Sequence, residues 1–294
     1  MNMANIIVLA PQGQVGWELT RCAQTLGNVI TLGREQLDLS NPEQIRRVVS
    51  ELQPRVILNG AAYTAVDKAE QEPEIAYQIN AKAVEVLAEV AKQQQALLVH
   101  YSTDYVFDGS QPTPYREQDA VAPLGVYGAS KLAGEQAIAS VGCDYFIFRT
   151  AWVYGMRGKN FLLTMQRLAK ERDELRVVAD QWGAPTWSRS IAEATAQIVA
   201  QVLSPKNPID ARALSGIYHL TCAGQTNWCD FARAIIAAAP KQPVVHAIRS
   251  EEYPTPAKRP QYSVLNNQKL RETFGIQLPA WEQALNLCLR SNEA

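Results

Sequence analysis

Tyr127-Gly128-Ala129-Ser130-Lys131 sets a phenol and an ammonium one helical turn apart. Residues at i and i+4 share a helix face, so both heads can converge on one substrate atom. A free tyrosine releases its proton only near pH ~10, and an adjacent lysine cation favours the phenolate. That shift brings proton transfer toward neutral pH. Alone, the spacing describes many surface helices; the residues upstream say more. His100-Tyr101-Ser102-Thr103-Asp104-Tyr105-Val106-Phe107 closes a strand-like run, at the carboxyl edge where open α/β sheets bind ligands. From there Ser102 or Thr103 can hydrogen-bond a substrate carbonyl or the Tyr127 oxygen.

A second constellation lies near the start. Gly13-Gln14-Val15-Gly16 follows the apolar run Ile6–Ala10 and opens a helix. Such a turn brings backbone N–H groups and a helix N-terminus against a pyrophosphate. Gly13 allows the close approach and Gly16 the packing of helix on strand, while Ala10 stands where the usual pattern has its first glycine. Beyond the next strand, Leu32-Gly33-Arg34 lacks the acidic residue of an NAD site. Arg34 either accommodates the 2′-phosphate of NADPH or is an exposed loop arginine. Asp38 and Leu39 are candidates for the adenine and ribose region. Asn59-Gly60-Ala61-Ala62-Tyr63-Thr64 ends a third strand in small residues, as a backbone beneath a cofactor needs.

These residues require a doubly wound parallel sheet to position them, and the first half has that rhythm. Strands are expected at Ile6–Ala10, Asn28–Leu32, Arg55–Asn59, Leu97–Ser102 and Tyr145–Arg149. Helices are expected at about Val15–Leu26, Pro42–Leu52 and Pro73–Gln95, and through Tyr127 and Lys131. Later come helices near Asn160–Arg172 and Ser190–Leu203 and strands at Leu175–Val178 and Tyr218–Leu220. Pro254, Pro256, Pro260 and Pro279 predict a loop-rich cap rather than more sheet.

Composition narrows the partners. The 294 residues are 47% hydrophobic with a formal net charge of −1, enough for a sizeable core and without the basic excess of a nucleic-acid or membrane binder. Five scattered cysteines show neither zinc-ligand nor disulfide-framework spacing and read as buried thiols in a reducing compartment. Without a leader-like N-terminus or a run long enough to span a bilayer, a cytoplasmic protein is expected. His100, His219 and His246 have no ligand spacing and read as strand or core histidines. Glu70, Glu72 and Glu74 are expected to complement the long helix's dipole. Trp182, Trp187, Trp228 and Trp281 read as core.

Taken together, Gly13–Leu19, Ala65–Glu70, Tyr101–Phe107, Tyr127–Glu135, Phe148–Tyr154, Asp180–Thr186 and Arg259–Leu265 resemble the dTDP-4-dehydrorhamnose reductases of the extended short-chain dehydrogenase/reductase superfamily. The resemblance runs in order over nearly the whole chain. It implies a Rossmann-like doubly wound sheet with a smaller C-terminal substrate-binding region. Residues 1–150 would form the dinucleotide-binding domain, with about 175–203 packing back onto it, and 151–294 would mainly bind the sugar nucleotide. The implied reaction is NADPH- or NADH-dependent reduction of the 4-keto group of dTDP-4-dehydro-L-rhamnose, the last step to dTDP-L-rhamnose.

By the same resemblance, Tyr127 is the general acid, Lys131 tunes it and holds the nicotinamide ribose, and Thr103 adjusts the tyrosine and touches the sugar. Asp104, Trp152 and Arg259 join the substrate site. Gly13, Gln14, Val15, Arg34, Asp38, Leu39, Ala62, Tyr63 and Thr64 line the cofactor. Some members use Mg2+, in some cases between subunits; Glu18 is the carboxylate to watch, though a surface glutamate by itself is a poor metal site. A homodimer stays open, as do a regulatory subunit of the methionine adenosyltransferase type and a nucleotide-sugar epimerase or dehydratase.

Overall fold

The computed structural model describes residues 3–291; Met1 and Asn2, part of the leader reading, lie outside them. Short apolar runs need burial on both faces, and a parallel sheet between helices provides it. The first half contains β1 (Asn5–Leu9), α1 (Gln14–Cys22), β2 (Asn28–Leu32), α2 (Pro42–Glu51), β3 (Val56–Asn59), α3 (Val66–Ala69), α4 (Pro73–Tyr77), α5 (Ala83–Gln94), β4 (Leu97–Thr103), α6 (Val126–Val141) and β5 (Asp144–Thr150). After it come β6 (Val153–Tyr154), α7 (Phe161–Glu171), β7 (Glu174–Val178), β8 (Trp182–Gly183), β9 (Thr186–Trp187), α8 (Ser188–Leu203) and β10 (Gly216–His219). The chain ends with β11 (Thr226–Asn227), α9 (Trp228–Ala237), β12 (Val244–Ile248), α10 (Gln268–Phe274) and α11 (Trp281–Arg290).

Six parallel strands pair in the order β2-β1-β3-β4-β5-β10. Strand order reverses between β1 and β3, so the crevice above their carboxyl ends is the switch point at which such sheets take ligands. This is the Rossmann-like doubly wound α/β fold. Alternate strand residues face opposite sides. Ile6, Val8, Phe146 and Phe148 pack with Leu19 of α1 and with Ile191 and Ile198 of α8. Ile7, Leu9, Ile57 and Ile147 meet Ile45 of α2, Leu87 of α5 and Ile138 of α6 on the other side. Among the described residues no helix is long and apolar enough to cross a membrane.

Two expectations are corrected. The helix read from Pro73 to Gln95 is interrupted by a π turn at Gln78–Lys82, a feature frequent at functional sites. The tail is also more regular than its prolines suggest, holding α10 and α11, while β12 pairs with β7. Just upstream, α9 carried a readable signal: Asn227 caps it by accepting the Asp230 N–H, and Cys229, Phe231, Ala232, Ile235 and Ile236 recur on its buried face.

Candidate active site

Helix α6 is seated before it presents any chemistry. The Glu70 carboxylate accepts the Val126 N–H at 2.8 Å, placing an anion at the positive end of the helix. Glu70 thus serves α6 rather than the long helix; Glu74 does occupy the first turn of α4. A Cβ on Gly134 would come within 2.1 Å of the Asn80 carbonyl oxygen, so α6 lies directly on the π turn. From that turn the fully buried Asn80 accepts the Tyr63 N–H at 2.8 Å and donates to the Tyr63 carbonyl at 3.0 Å. Its amide also donates to the Ser130 hydroxyl at 3.0 Å. One side chain therefore ties the loop after β3 to the helix of Tyr127 and Lys131.

Tyr127 is half-buried and meets Tyr105 edge-on, with ring centroids 5.8 Å apart. Burial pushes its phenol up to about 12; the Thr103 hydroxyl opposes this and the Asp104 charge adds to it. Thr103, at the end of β4, donates to Asp104 Oδ1 at 3.0 Å. Burial raises the Asp104 carboxyl to about 6, against the Ser263 and Thr103 hydroxyls. Among the described residues Asp104 Oδ2, Ser102 Oγ and Thr150 Oγ1 are buried without hydrogen-bond partners.

Lys131 is 1% exposed and points elsewhere than expected. Its Nζ lies 3.0 Å from His100 Nε2, and among the described residues it forms no hydrogen bond to Tyr127. Burial lowers the amine to about 7, with Glu135 opposing. The cation that should pull the phenol down is thus absent from the Tyr127 balance: burial holds the phenol protonated and disfavours the ammonium. Glu135 is itself committed to Arg149, at 2.7 and 2.9 Å in the interior. His100 is a strand histidine as read, yet it touches Lys131, which no local pattern announces.

Over the switch point lies a cleft of about 600 Å³. It gathers Arg34, Asp38, Leu39, Ala62 and Tyr63, along with Gly33, Leu37, Lys68 and Glu72, which sequence reasoning had not assigned. The Ser40 N–H and hydroxyl donate to Asp38 at 2.9 and 2.8 Å and hold its carboxyl below the usual range. Tyr63 donates to Glu72 at 3.0 Å, and Lys68 pairs with Glu72 at 2.8 Å. Ala10 lines the same cleft at φ 55°, the left-handed region in which the usual glycine would sit without strain. Gly13 caps α1 with no side-chain bond and no acid in the first turn, leaving that end suited to an anion. A Cβ on Gly16 would sit 2.1 Å from the Ala10 oxygen, which supports its packing role. Gln14 accepts from Asn160 at 2.9 Å, Val15 packs into the core, and Thr64 is exposed outside the cleft lining.

Trp152 stacks on Trp228 at 3.5 Å and 8°. A Cβ on Gly183 would meet the Trp152 ring at 2.4 Å, so Gly183 backs its second face. Trp228 is therefore part of an aromatic wall rather than plain core, and Trp182, 38% exposed, is not core either. Arg259 donates to Asp67 at 2.9 Å and acts on the Tyr105 phenol. His219 is buried edge-on to Phe107, and exposed His246 lies 3.4 Å from Glu174. Glu18, half-buried and raised by burial, feels Arg189, Arg21 and Glu193. Two guanidiniums beside two carboxylates offer a dication no net attraction, and no group of three potential ligand side chains forms among the described residues.

Residues 3–293 match the family model described as RmlD substrate binding domain. The chain is 50% identical to a dTDP-4-dehydrorhamnose reductase of Burkholderia thailandensis, over 97% of this chain and 98% of that one. It is 44% identical to the Escherichia coli K12 enzyme of the same name, over 95% and 94%. A Bacillus anthracis dTDP-4-dehydrorhamnose reductase solved in complex with NADP superposes with a TM-score of 0.90 at 37% identity, over 99% and 100%. A Thermus thermophilus UDP-glucose 4-epimerase complex with NAD, at 20% identity and a TM-score of 0.80 over 99% of both chains, shares the fold alone.

Proposed function

The chain belongs to the dTDP-4-dehydrorhamnose reductase family, and from that premise we propose that it reduces the 4-keto group of dTDP-4-dehydro-L-rhamnose to give dTDP-L-rhamnose, with NADPH or NADH as reductant. The observation that carries the reading is Tyr127 beside the Thr103 hydroxyl, at the carboxyl edge of β4. Ketone reduction needs a general acid at the developing alkoxide, and a neutral phenol at this edge can supply that proton.

The reduced nicotinamide, when bound, supplies the hydride to C4. Tyr127 delivers the proton to the C4 oxygen, and the Thr103 hydroxyl would turn its hydrogen from Asp104 to the same oxygen as charge develops. Lys131 would hold the nicotinamide ribose. Arg34, Asp38, Leu39, Ala62 and Tyr63 hold the adenosine half, with Thr64 at the rim. Gly13, Gln14 and Val15 offer the pyrophosphate their backbone. Arg34, at the cleft and without an ion-pair partner among the described residues, suits a 2′-phosphate and favours NADPH; the NADP bound by the Bacillus anthracis relative supports this choice. Asp104, the edge of Trp152 and Arg259 receive the sugar nucleotide.

Tyr127→Phe tests the assignment of the acid. It is expected to bind NADPH as the wild type does while turnover falls about 10²- to 10⁴-fold, the usual span for losing a general acid. Near-wild-type turnover would remove Tyr127 from that role.

A further inference from the structure

His100 is wholly buried, and each ring nitrogen has one hydrogen-bond neighbour: Nδ1 lies 3.0 Å from Asn59 Nδ2, and Nε2 lies 3.0 Å from Lys131 Nζ. The Asn59 amide has only one satisfactory orientation, because its Oδ1 accepts the Ala61 N–H at 3.1 Å. Its Nδ2 therefore donates to the imidazole, and Nδ1 must accept. A neutral imidazole that accepts at Nδ1 carries its hydrogen on Nε2. That N–H points at Lys131. An ammonium has no lone pair with which to accept it, whereas a neutral amine has one. Protonating His100 instead would set N–H groups against both neighbours, and burial beside Lys131 holds the ring well below its ordinary titration.

The surroundings agree. From β3 and the π turn come the amides Asn59 and Asn80, and from β4 come His100 and, at its end, Asp104, whose charge acts on Tyr127. Arg149 of β5 is matched by Glu135 of α6 at 2.7 Å. Among the described residues Lys131 has no other hydrogen-bond partner, so three ammonium hydrogens would find no acceptor. We propose that His100 is a positioning residue that keeps Lys131 a neutral amine in the cofactor-free protein, so that binding of a nicotinamide dinucleotide draws a proton from solvent onto Lys131. The ribose hydroxyls of such a ligand supply the acceptors that an ammonium lacks here. A resting amine that titrates near 7 is consistent with this. The inference rests on the cofactor reading above.

Calorimetric titration of the purified full chain with NADPH, at about pH 8 where the 2′-phosphate is already ionised, in buffers of differing ionisation enthalpy, counts the protons. Uptake approaching about one proton per NADPH is expected, and Kd should weaken by up to about tenfold per pH unit above neutrality. His100→Gln can turn its amide oxygen toward Lys131 and so admit the ammonium; its proton uptake and the pH slope of Kd should both collapse. Asn59→Asp makes Nδ1 the donor and frees Nε2 to accept from the ammonium, with the same outcome, should His100→Gln fail to fold. A merely structural loss would change Kd by one factor at every pH and leave the slope intact. NADPH binding without proton uptake by the wild type, or uptake unchanged in the variants, overturns the inference alone. Failure to bind either NADPH or NADH overturns the cofactor reading as well.

Discussion

Trp152 shows how a single residue is fixed by its neighbours. It sits at φ 46°, a conformation that a bulky side chain keeps only where its neighbours over-determine it. Trp228 covers one face at 3.5 Å and Gly183 backs the other, so neither face of the ring is left open and only its edge is free for a sugar in the proposed reaction. Removing the stack forfeits about 0.5–1.5 kcal/mol of aromatic pairing. Trp228→Ala is accordingly expected to raise KM for the sugar nucleotide by up to roughly tenfold with little change in kcat; an unchanged KM would mean that the wall stands without Trp228. The spacing of Tyr127 and Lys131 was legible because helical geometry alone puts them on one face. His100 was not, since its contact with Lys131 joins a strand to a helix across 31 residues. The same holds for the pairing of Trp228 with Trp152, which only the folded chain brings together.

At the scale of elements, the π turn between α4 and α5 does the coupling. It carries Asn80, which binds both backbone groups of Tyr63 in the switch-point cleft and Ser130 beside Lys131. Asn80→Ala removes three hydrogen bonds, two of them to the half-buried Tyr63 backbone, a loss of about 1–3 kcal/mol. Chemical denaturation should show that loss, and NADPH titration should show weaker binding because the Tyr63 loop is released; a variant with wild-type stability and affinity would contradict the coupling. Gln78-Ile79-Asn80-Ala81-Lys82 is compatible with uninterrupted helix, which is why sequence periodicity passed over the turn. Strands β1 to β5 were legible because each is a short apolar run with turn residues at its ends. The helices of the tail were obscured by prolines that lie between elements rather than within them.

For the whole molecule, strand order decides where chemistry can happen. With β1 and β3 adjacent and parallel, and the chain progressing outward to β2 on one side and to β4 on the other, the Ala10–Gly16 turn, the Ala61–Tyr63 loop and the end of β4 share one carboxyl edge. The buried Arg149–Glu135 pair fastens α6 to β5, so Tyr127 is held at that edge by the sheet itself. Alternation of strands and helices made this edge legible before any coordinates, whereas the substrate followed from the resemblance, which the relatives' names support. The most direct measurement follows nicotinamide absorbance when purified protein meets NADPH and dTDP-4-dehydro-L-rhamnose. Stoichiometric loss of the reduced cofactor, with dTDP-L-rhamnose as product, is expected. A flat trace with intact keto-sugar, or conversion of the sugar without consumption of NADPH, would contradict the reductase assignment.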